Sequence, residues 1–173
     1  MTETMLFGGA IYPICSESFE EGYIILKNGK IHDMGKGNPS GEMLQNKEVH
    51  NCKGKHILPG LIDAHTHLGI LEEKTGEIGK DNNETSLPVA PHLRALDGVN
   101  PNDAGFRDAL CAGVTTVMTG PGSNNPVGGL NMAVKTVGNV IDQMVVKNPT
   151  GLKLALGENP MVTHGSSKHT PVT

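Results

Sequence analysis

The stretch Leu58-Pro59-Gly60-Leu61-Ile62-Asp63-Ala64-His65-Thr66-His67-Leu68-Gly69 decides how this chain is interpreted. Residues 61–68 are predicted to form a strand, in which alternate side chains share a face, so that Asp63, His65 and His67 point the same way. The two histidine backbones then lie roughly 6 to 7 Å apart, and both rings can reach one ion at about 2.1 Å. We therefore predict that His65 and His67 bind a divalent metal, with Asp63 placed to orient a neighbouring imidazole by accepting its proton.

A bare His-x-His pair is common by chance, and most such pairs bind no metal. The surroundings of this pair favour a site: Pro59-Gly60 precedes an apolar strand, Asp63 lies two residues before His65, and Gly69 closes the stretch. These features suit an open metal site at the end of a strand.

The region before the motif, residues 1–57, is predicted to be small and all-β. Asn28-Gly29 indicates a hairpin, because this dipeptide supplies the two positive φ angles of a type I′ turn. The predicted strands cover residues 5–14, 23–27, 30–34 and 48–52.

After Ile57, strand-like segments alternate with helical ones, which predicts a parallel sheet with right-handed crossovers. Residues 113–119 are a second strand candidate, and a helix capped by Asn100 and ended by Gly113 is expected before it. A further helix, stopped by Pro149 and Gly151, is indicated by the spacing of Val137, Val140, Ile141, Met144 and Val145. Residues 152–156 form the next predicted strand.

Three segments do not fit this alternation. Residues 69–100 are long, polar and broken by prolines, which is typical of an active-site loop. Residues 120–129 (GPGSNNPVGG) lack a phosphate-loop pattern and are expected to line the substrate. Residues 158–173 show no periodicity, so His164 and His169 are not assigned as ligands.

The net charge, the apolar runs and the cysteine count exclude several classes of function. The net charge of −4 comes from scattered charges, so a nucleic-acid partner is not expected. No run of 18 or more apolar residues and no leader pattern is found, so we expect a cytoplasmic protein without a membrane partner. Three separated cysteines indicate neither a disulfide framework nor a thiolate zinc site.

The motif resembles the amidohydrolase superfamily, whose members carry Pro-Gly-x-Ile-Asp-x-His-x-His at the end of the first barrel strand. Residues 113–117 (GVTTV) look like the second barrel strand, and residues 157–160 (GENP) resemble the imidazolonepropionase-like branch. The resemblance implies an α/β fold: a partial metal-dependent (β/α)8 TIM barrel in residues 58–173, preceded by part of a small β-sandwich domain in residues 1–57.

In that superfamily one or two divalent ions, here expected to be zinc, activate a water that attacks a carbon-nitrogen bond. The resemblance implies a hydrolase for an amide or cyclic amide, non-peptide or dipeptide-like, in a small-molecule substrate. A deaminase of the same fold and an inactive truncated metal-binding fragment are the alternatives. A full barrel takes about 250 residues, so the catalytic residues are expected beyond residue 173. Residues 1–173 alone are expected to be inactive, and homo-oligomer formation by the complete protein is left open.

The superfamily also uses a carboxylated lysine or a glutamate, and this sequence offers Lys153 and Glu158. Barrel active sites lie at the carboxyl ends of strands. If the strand covers residues 152–156, Lys153 lies at its start and Glu158 follows its end, so we predict that Glu158 joins His65 and His67. His92 and Arg94 are candidates for binding a substrate carboxylate; the alternative is that both are solvated loop residues.

Overall fold

The computed structural model describes residues 3–167, and the chain divides into two compact units, residues 1–59 and 60–173. Each unit is described by itself. Among the described residues, no helix is long and apolar enough to cross a membrane.

The first unit is a five-stranded sheet. Strands β1 (Glu3–Ile11), β2 (Phe19–Lys27) and β3 (Lys30–Lys36) are antiparallel neighbours. A helical turn, α1 (Gly41–Leu44), leads to β4 (Lys47–Asn51), and β4 and β5 (His56–Ile57) both pair with β1 in parallel.

The predicted hairpin between β2 and β3 is confirmed, since Asn28 has φ 54° and Gly29 has φ 71°. Met5 and Ile11 are buried on β1, and Ile24 and Ile25 are buried on β2. In residues 3–57 the strands make a single sheet, and the second layer of a sandwich is not seen there.

The second unit holds a mixed sheet in the order β6 (Leu61–Thr66), β7 (Val114–Thr119), β8 (Val127–Lys135) and β9 (Val145–Leu154). Only β6 and β7 pair in parallel, whereas β8 is antiparallel to both of its neighbours. The predicted all-parallel sheet is therefore wrong beyond β7. Residues 120–126 are too few for a parallel crossover, which needs about a dozen residues, so β8 turns back along β7.

The helix predicted over residues 137–145 is also wrong. Only Ile141–Met144 is helical (α4), and Val145 already begins β9. Gly138 has φ 140°, which no helix contains, and Val137 is 62% exposed, so the apolar spacing does not form one buried face. Pro149 and Gly151, interpreted as helix stops, lie inside β9.

The helix between β6 and β7 is confirmed, but its first residue is corrected. Helix α3 (Ala104–Cys111) is capped by Asp103, whose carboxylate accepts the Gly105 amide proton at 3.3 Å. Asn100 instead closes a turn by accepting the Asn102 amide proton at 3.0 Å. Gly113 follows the helix with φ 86°, as a helix end commonly requires.

The two segments predicted to be irregular, residues 69–100 and residues 158–173, have different outcomes. Residues 69–100 remain largely irregular, with only a 3-10 turn (Gly76–Gly79) and a helical turn, α2 (Ala95–Gly98). The aperiodic segment after β9, in contrast, contains α5 (Glu158–His164) and a 3-10 turn (Gly165–Ser167). His164 belongs to α5, and His169 lies outside the described residues.

The core of the second unit lies between the sheet and the segments α2 to α4. Its buried members include Ile70, Phe106, Val117, Met132 and Met144. The outer strands differ from this core: Ile62 of β6 is 73% exposed and Leu154 of β9 is 59% exposed. The fold is thus mixed α/β, as expected, with two apolar edge strands; a closed barrel is not seen in residues 3–167.

Candidate metal centre

The two histidines of the motif lie side by side at the carboxyl end of β6. Their ring centroids are 5.5 Å apart and the ring planes meet at 78°. This follows from the strand geometry, because residues two apart share a face. The predicted juxtaposition of His65 and His67 is confirmed.

The ring of His67 is oriented by the backbone of the neighbouring strand end. Its Nδ1 atom lies 2.7 Å from the carbonyl oxygen of Gly120, directly after β7. A carbonyl oxygen can only accept, so Nδ1 carries the proton and Nε2 keeps its lone pair. Metal-binding histidines are commonly held in this way by a backbone carbonyl.

The ring of His65 meets Lys153. The Lys153 Nζ atom lies 3.3 Å from the His65 Nε2 atom. Because β6 is parallel to β7 and β8 is antiparallel to both β7 and β9, β9 runs in the same direction as β6. Lys153 is next to last in β9, so it lies at the carboxyl end of the strand. The sequence interpretation placed Lys153 at the start because it began the strand at residue 152.

Glu158 does not take the place predicted for it. It is exposed in the first turn of α5, beside a shallow depression formed with Ser123 and Leu154. Among residues 3–167, no three His, Cys, Asp or Glu side chains are close enough to hold a metal, so the described structure does not bring Glu158 to His65 and His67. Lys153, the alternative that the sequence offered, is the residue that contacts His65, and a ligand role for Glu158 stays a prediction.

Asp63 also acts differently from the prediction. Its Oδ1 atom accepts the backbone proton of His65 at 3.0 Å, and no imidazole donates to it among the described residues. The pairing of β6 with β7 is irregular between Asp63 and Thr66. Asp63 therefore satisfies a backbone amide where the ladder is interrupted.

Two threonines join the ends of β6 and β7, and the sequence interpretation did not single them out. The Thr66 hydroxyl donates to the Met118 carbonyl at 3.0 Å, and the buried Thr119 hydroxyl donates to the Leu68 carbonyl at 2.8 Å. These reciprocal bonds hold the two strand ends together on either side of His67. The only signal in the sequence was a threonine within the last three residues of each predicted strand.

The turn after His67 is anchored by Asp103. This buried carboxylate accepts the Gly69 amide proton at 3.2 Å through Oδ2 and the Glu73 amide proton at 3.0 Å through Oδ1. It also caps α3. One side chain therefore fixes both the start of a helix and the loop that leaves β6.

Arg94 and His92 are not brought to the histidine pair. Arg94 forms a bidentate ion pair with Asp97, in which Nε donates to Oδ2 at 2.9 Å and Nη2 donates to Oδ1 at 2.6 Å. Hydrogen bonding to Asp97 raises the pKa of Arg94, and the same contact lowers the pKa of Asp97. Arg94 lines a cavity of about 260 Å³ together with Gly128 of β8. His92 is exposed in the long loop.

No protein-family model matches the chain. The amidohydrolase tasK of Hapsidospora irregularis is 28% identical over 163 residues, covering 88% of this chain and 17% of that protein. An imidazolonepropionase of Streptococcus sanguinis is 41% identical over 82 residues, covering 47% of this chain and 18% of that enzyme. A 5-methylthioadenosine/S-adenosylhomocysteine deaminase of Bacillus thuringiensis is 43% identical over 53 residues, 31% of this chain and 12% of the deaminase.

Among solved structures, an amidohydrolase from Thermotoga maritima superposes with a TM-score of 0.89 at 39% identity. The match covers 98% of this chain and 43% of that one. The chain is therefore a homologue of the amidohydrolases, which confirms the resemblance seen in the motif. Within them it has relatives among the imidazolonepropionases. It spans less than a fifth of the three named relatives and less than half of the solved amidohydrolase.

Proposed function

We propose that the complete protein is a metal-dependent hydrolase that cleaves a carbon-nitrogen bond with a metal-activated water. The observation that carries this proposal is the cluster of His65, His67 and Lys153 at the carboxyl ends of β6 and β9. The similarity of the chain to amidohydrolases also supports the proposal. We retain residues 1–57 as part of a β-sandwich and residues 58–173 as part of the barrel.

The residues of the cluster fit a divalent ion such as zinc, which prefers nitrogen and oxygen ligands. His67 offers Nε2, because Nδ1 is engaged by Gly120. His65 offers Nε2, the atom that Lys153 faces. When bound, the ion lowers the pKa of a water toward about 7 and polarises the bond to be cleaved. We propose that one or two such ions bind.

Lys153 needs a chemical change to serve as a ligand, since a protonated amine has no lone pair. The neutral amine adds to carbon dioxide, forming an N-carboxylate and releasing one proton. The product is anionic and carries two oxygens, which are suitable metal ligands. We propose this form for Lys153 in the loaded protein, with Glu158 outside the metal site.

The proposed substrate is a small molecule with an amide or cyclic amide bond, either non-peptide or dipeptide-like. Deamination is the second candidate, supported by the deaminase among the relatives. Both reactions use the same activated water, but deamination releases ammonia. We keep a cytoplasmic location, homo-oligomer formation and the absence of nucleic-acid and membrane partners as proposals.

The test is the metal content of the full-length protein, measured by elemental analysis. We expect the double variant His65→Ala, His67→Ala to lose its metal while its circular dichroism is unchanged. A matched control replaces His32 and His50, two exposed histidines of the first unit, and should retain the metal. Stoichiometric metal in the His65, His67 variant would refute the assignment. An inactive truncated fragment, the remaining alternative, would bind the metal but would neither hydrolyse an amide nor release ammonia by deamination.

A further inference from the structure

His164 is a buried histidine with no part in the proposed metal cluster. It is 2% exposed, and its Nε2 atom lies 3.4 Å from Nδ2 of Asn125. An amide nitrogen can only donate, so His164 Nε2 accepts and the ring proton is on Nδ1. This contact fixes how α5 meets the segment between β7 and β8.

Asn125 is buried as well and connects three parts of the second unit. It belongs to residues 120–126, which we call the Gly120 loop. Its Nδ2 atom donates to the Leu87 carbonyl at 2.6 Å, in the long loop, as well as to His164 of α5. Both amide protons of one side chain are thus used to join separate segments.

A second contact from α5 holds the same loop. Nδ2 of Asn159 donates to the hydroxyl of Ser123 at 2.6 Å. Gly122 precedes both contact residues, Ser123 and Asn125, in the loop, and its amide donates to the Asn82 carbonyl at 2.6 Å. The Gly120 loop has no regular secondary structure, yet Gly120, Gly122 and Asn125 are buried. Buried backbone must find its partners within the protein, so these contacts determine where the loop lies.

The first residue of this loop is the one that orients the metal-binding ring of His67. The Gly120 amide donates to the Thr66 carbonyl at 3.3 Å, a long bond, and the Gly120 carbonyl accepts from His67 Nδ1 at 2.7 Å. A displacement of the loop therefore moves the acceptor that selects the tautomer of His67.

We infer that His164 is a positioning residue: through Asn125, α5 holds the Gly120 loop so that His67 keeps its proton on Nδ1 and presents Nε2 to the metal. The inference rests on the proposed function only in calling His67 a ligand. The tautomer itself is a property of the metal-free protein.

The test uses the full-length, metal-free protein with 15N-labelled histidine, in which NMR distinguishes Nδ1-H from Nε2-H rings. We expect His67 to be the Nδ1-H tautomer in the unaltered protein. In His164→Leu, which removes the acceptor for Asn125, His67 should become a mixture of tautomers. Zinc affinity should fall by up to about 10-fold, the lower end of the range found when a direct partner of a metal-binding histidine is removed, because His164 acts on that partner through the loop. His164→Gln supplies an acceptor oxygen and should recover part of the affinity.

The matched control is His32→Leu, at an exposed histidine in β3, which should leave both readouts unchanged. Asn159→Ala removes the exposed second contact and decides the question if His164→Leu fails to fold; we expect it to shift the His67 tautomer in the same direction. The inference would be overturned if His164→Leu folds and the His67 tautomer is unchanged. If His164→Leu does not fold, an unchanged His67 tautomer in Asn159→Ala would overturn it. Unaltered protein that shows the expected tautomer but binds no added zinc would refute the metal site and leave the positioning role intact.

Discussion

The Lys153 Nζ atom of β9 lies 3.3 Å from the Nε2 atom of His65 on β6, although the two residues are 88 positions apart in the chain. These strands are the two outer members of a four-stranded sheet. The pair therefore joins opposite sides of the second unit at the carboxyl ends of β6 and β9.

The first prediction concerns the choice between Lys153 and Glu158. Lys153→Ala should reduce bound metal strongly, because it removes the only side chain found against His65 Nε2 in the described chain. Glu158→Gln, which removes the charge of an exposed carboxylate, should retain the metal. Elemental analysis measures both, and 13C NMR of protein equilibrated with 13C-labelled carbon dioxide should show a carbamate that is absent from Lys153→Ala. Metal loss in Glu158→Gln alone would restore Glu158 as the ligand.

The second prediction concerns Gly120. A Cβ atom at this position would collide with the side chain of Asn131, so Gly120→Ala should displace the carbonyl that accepts from His67. We expect zinc affinity to fall about 10-fold or more. Asn131→Ala, added to Gly120→Ala, removes the colliding amide and should restore much of the affinity.

The control for Gly120 is Gly41→Ala. A Cβ atom at Gly41 meets no atom within 4 Å, so zinc affinity should be unchanged. Isothermal titration calorimetry of all four proteins measures the effect. Equal affinities for Gly120→Ala and the unaltered protein would show that the Gly120 carbonyl is unimportant for the site.

The third prediction concerns stability. Asp103 is buried and accepts the amide protons of Gly69, Glu73 and Gly105. Asp103→Ala leaves these donors without their acceptor, which should lower the free energy of unfolding by about 2 to 4 kcal/mol. Asp142→Ala, at an exposed position of α4, should change it by less than about 0.5 kcal/mol. Urea unfolding followed by circular dichroism compares them, and similar midpoints for the two variants would contradict the anchoring role.

The fourth prediction concerns residues 1–173 as an isolated chain. Ile62 on β6 and Leu154 on β9 are largely exposed, on strands that have an unpaired edge among residues 3–167. Such edges favour association, so this chain should bind a hydrophobic dye or aggregate and show no amide turnover. Ile62→Thr together with Leu154→Thr should reduce dye binding. A monomeric chain with cooperative unfolding and hydrolysis of an amide would contradict this expectation.

Local chemistry explains why part of the site was predictable. The alternation of a strand alone places His65 beside His67, and Asn28-Gly29 alone determines a tight hairpin. The end of α3 at Gly113 likewise depends on one residue and its φ angle. In each case the interacting groups are neighbours in the chain, so their spacing is the same in any fold that contains the element.

The path of β8 and β9 could not be derived in this way. The apolar spacing of residues 137–145 fits a helix, but Gly138 has a φ of 140° and Val145 already pairs with β8, so only Ile141–Met144 is helical. That error moved the start of the last strand and placed Lys153 at the wrong end. Which strands pair depends on contacts between residues far apart in sequence, and short-range periodicity does not contain them.

The sequence by itself thus determined the histidine pair, its strand and the likeness to amidohydrolases, because these depend on residues within a few positions of one another. The tertiary structure alone decided that Lys153 meets His65, that Gly120 orients His67, and that α5 holds the Gly120 loop through His164. Each of these contacts joins segments separated by at least 39 positions. They exist only once strand order and direction have brought the strand ends and loops together.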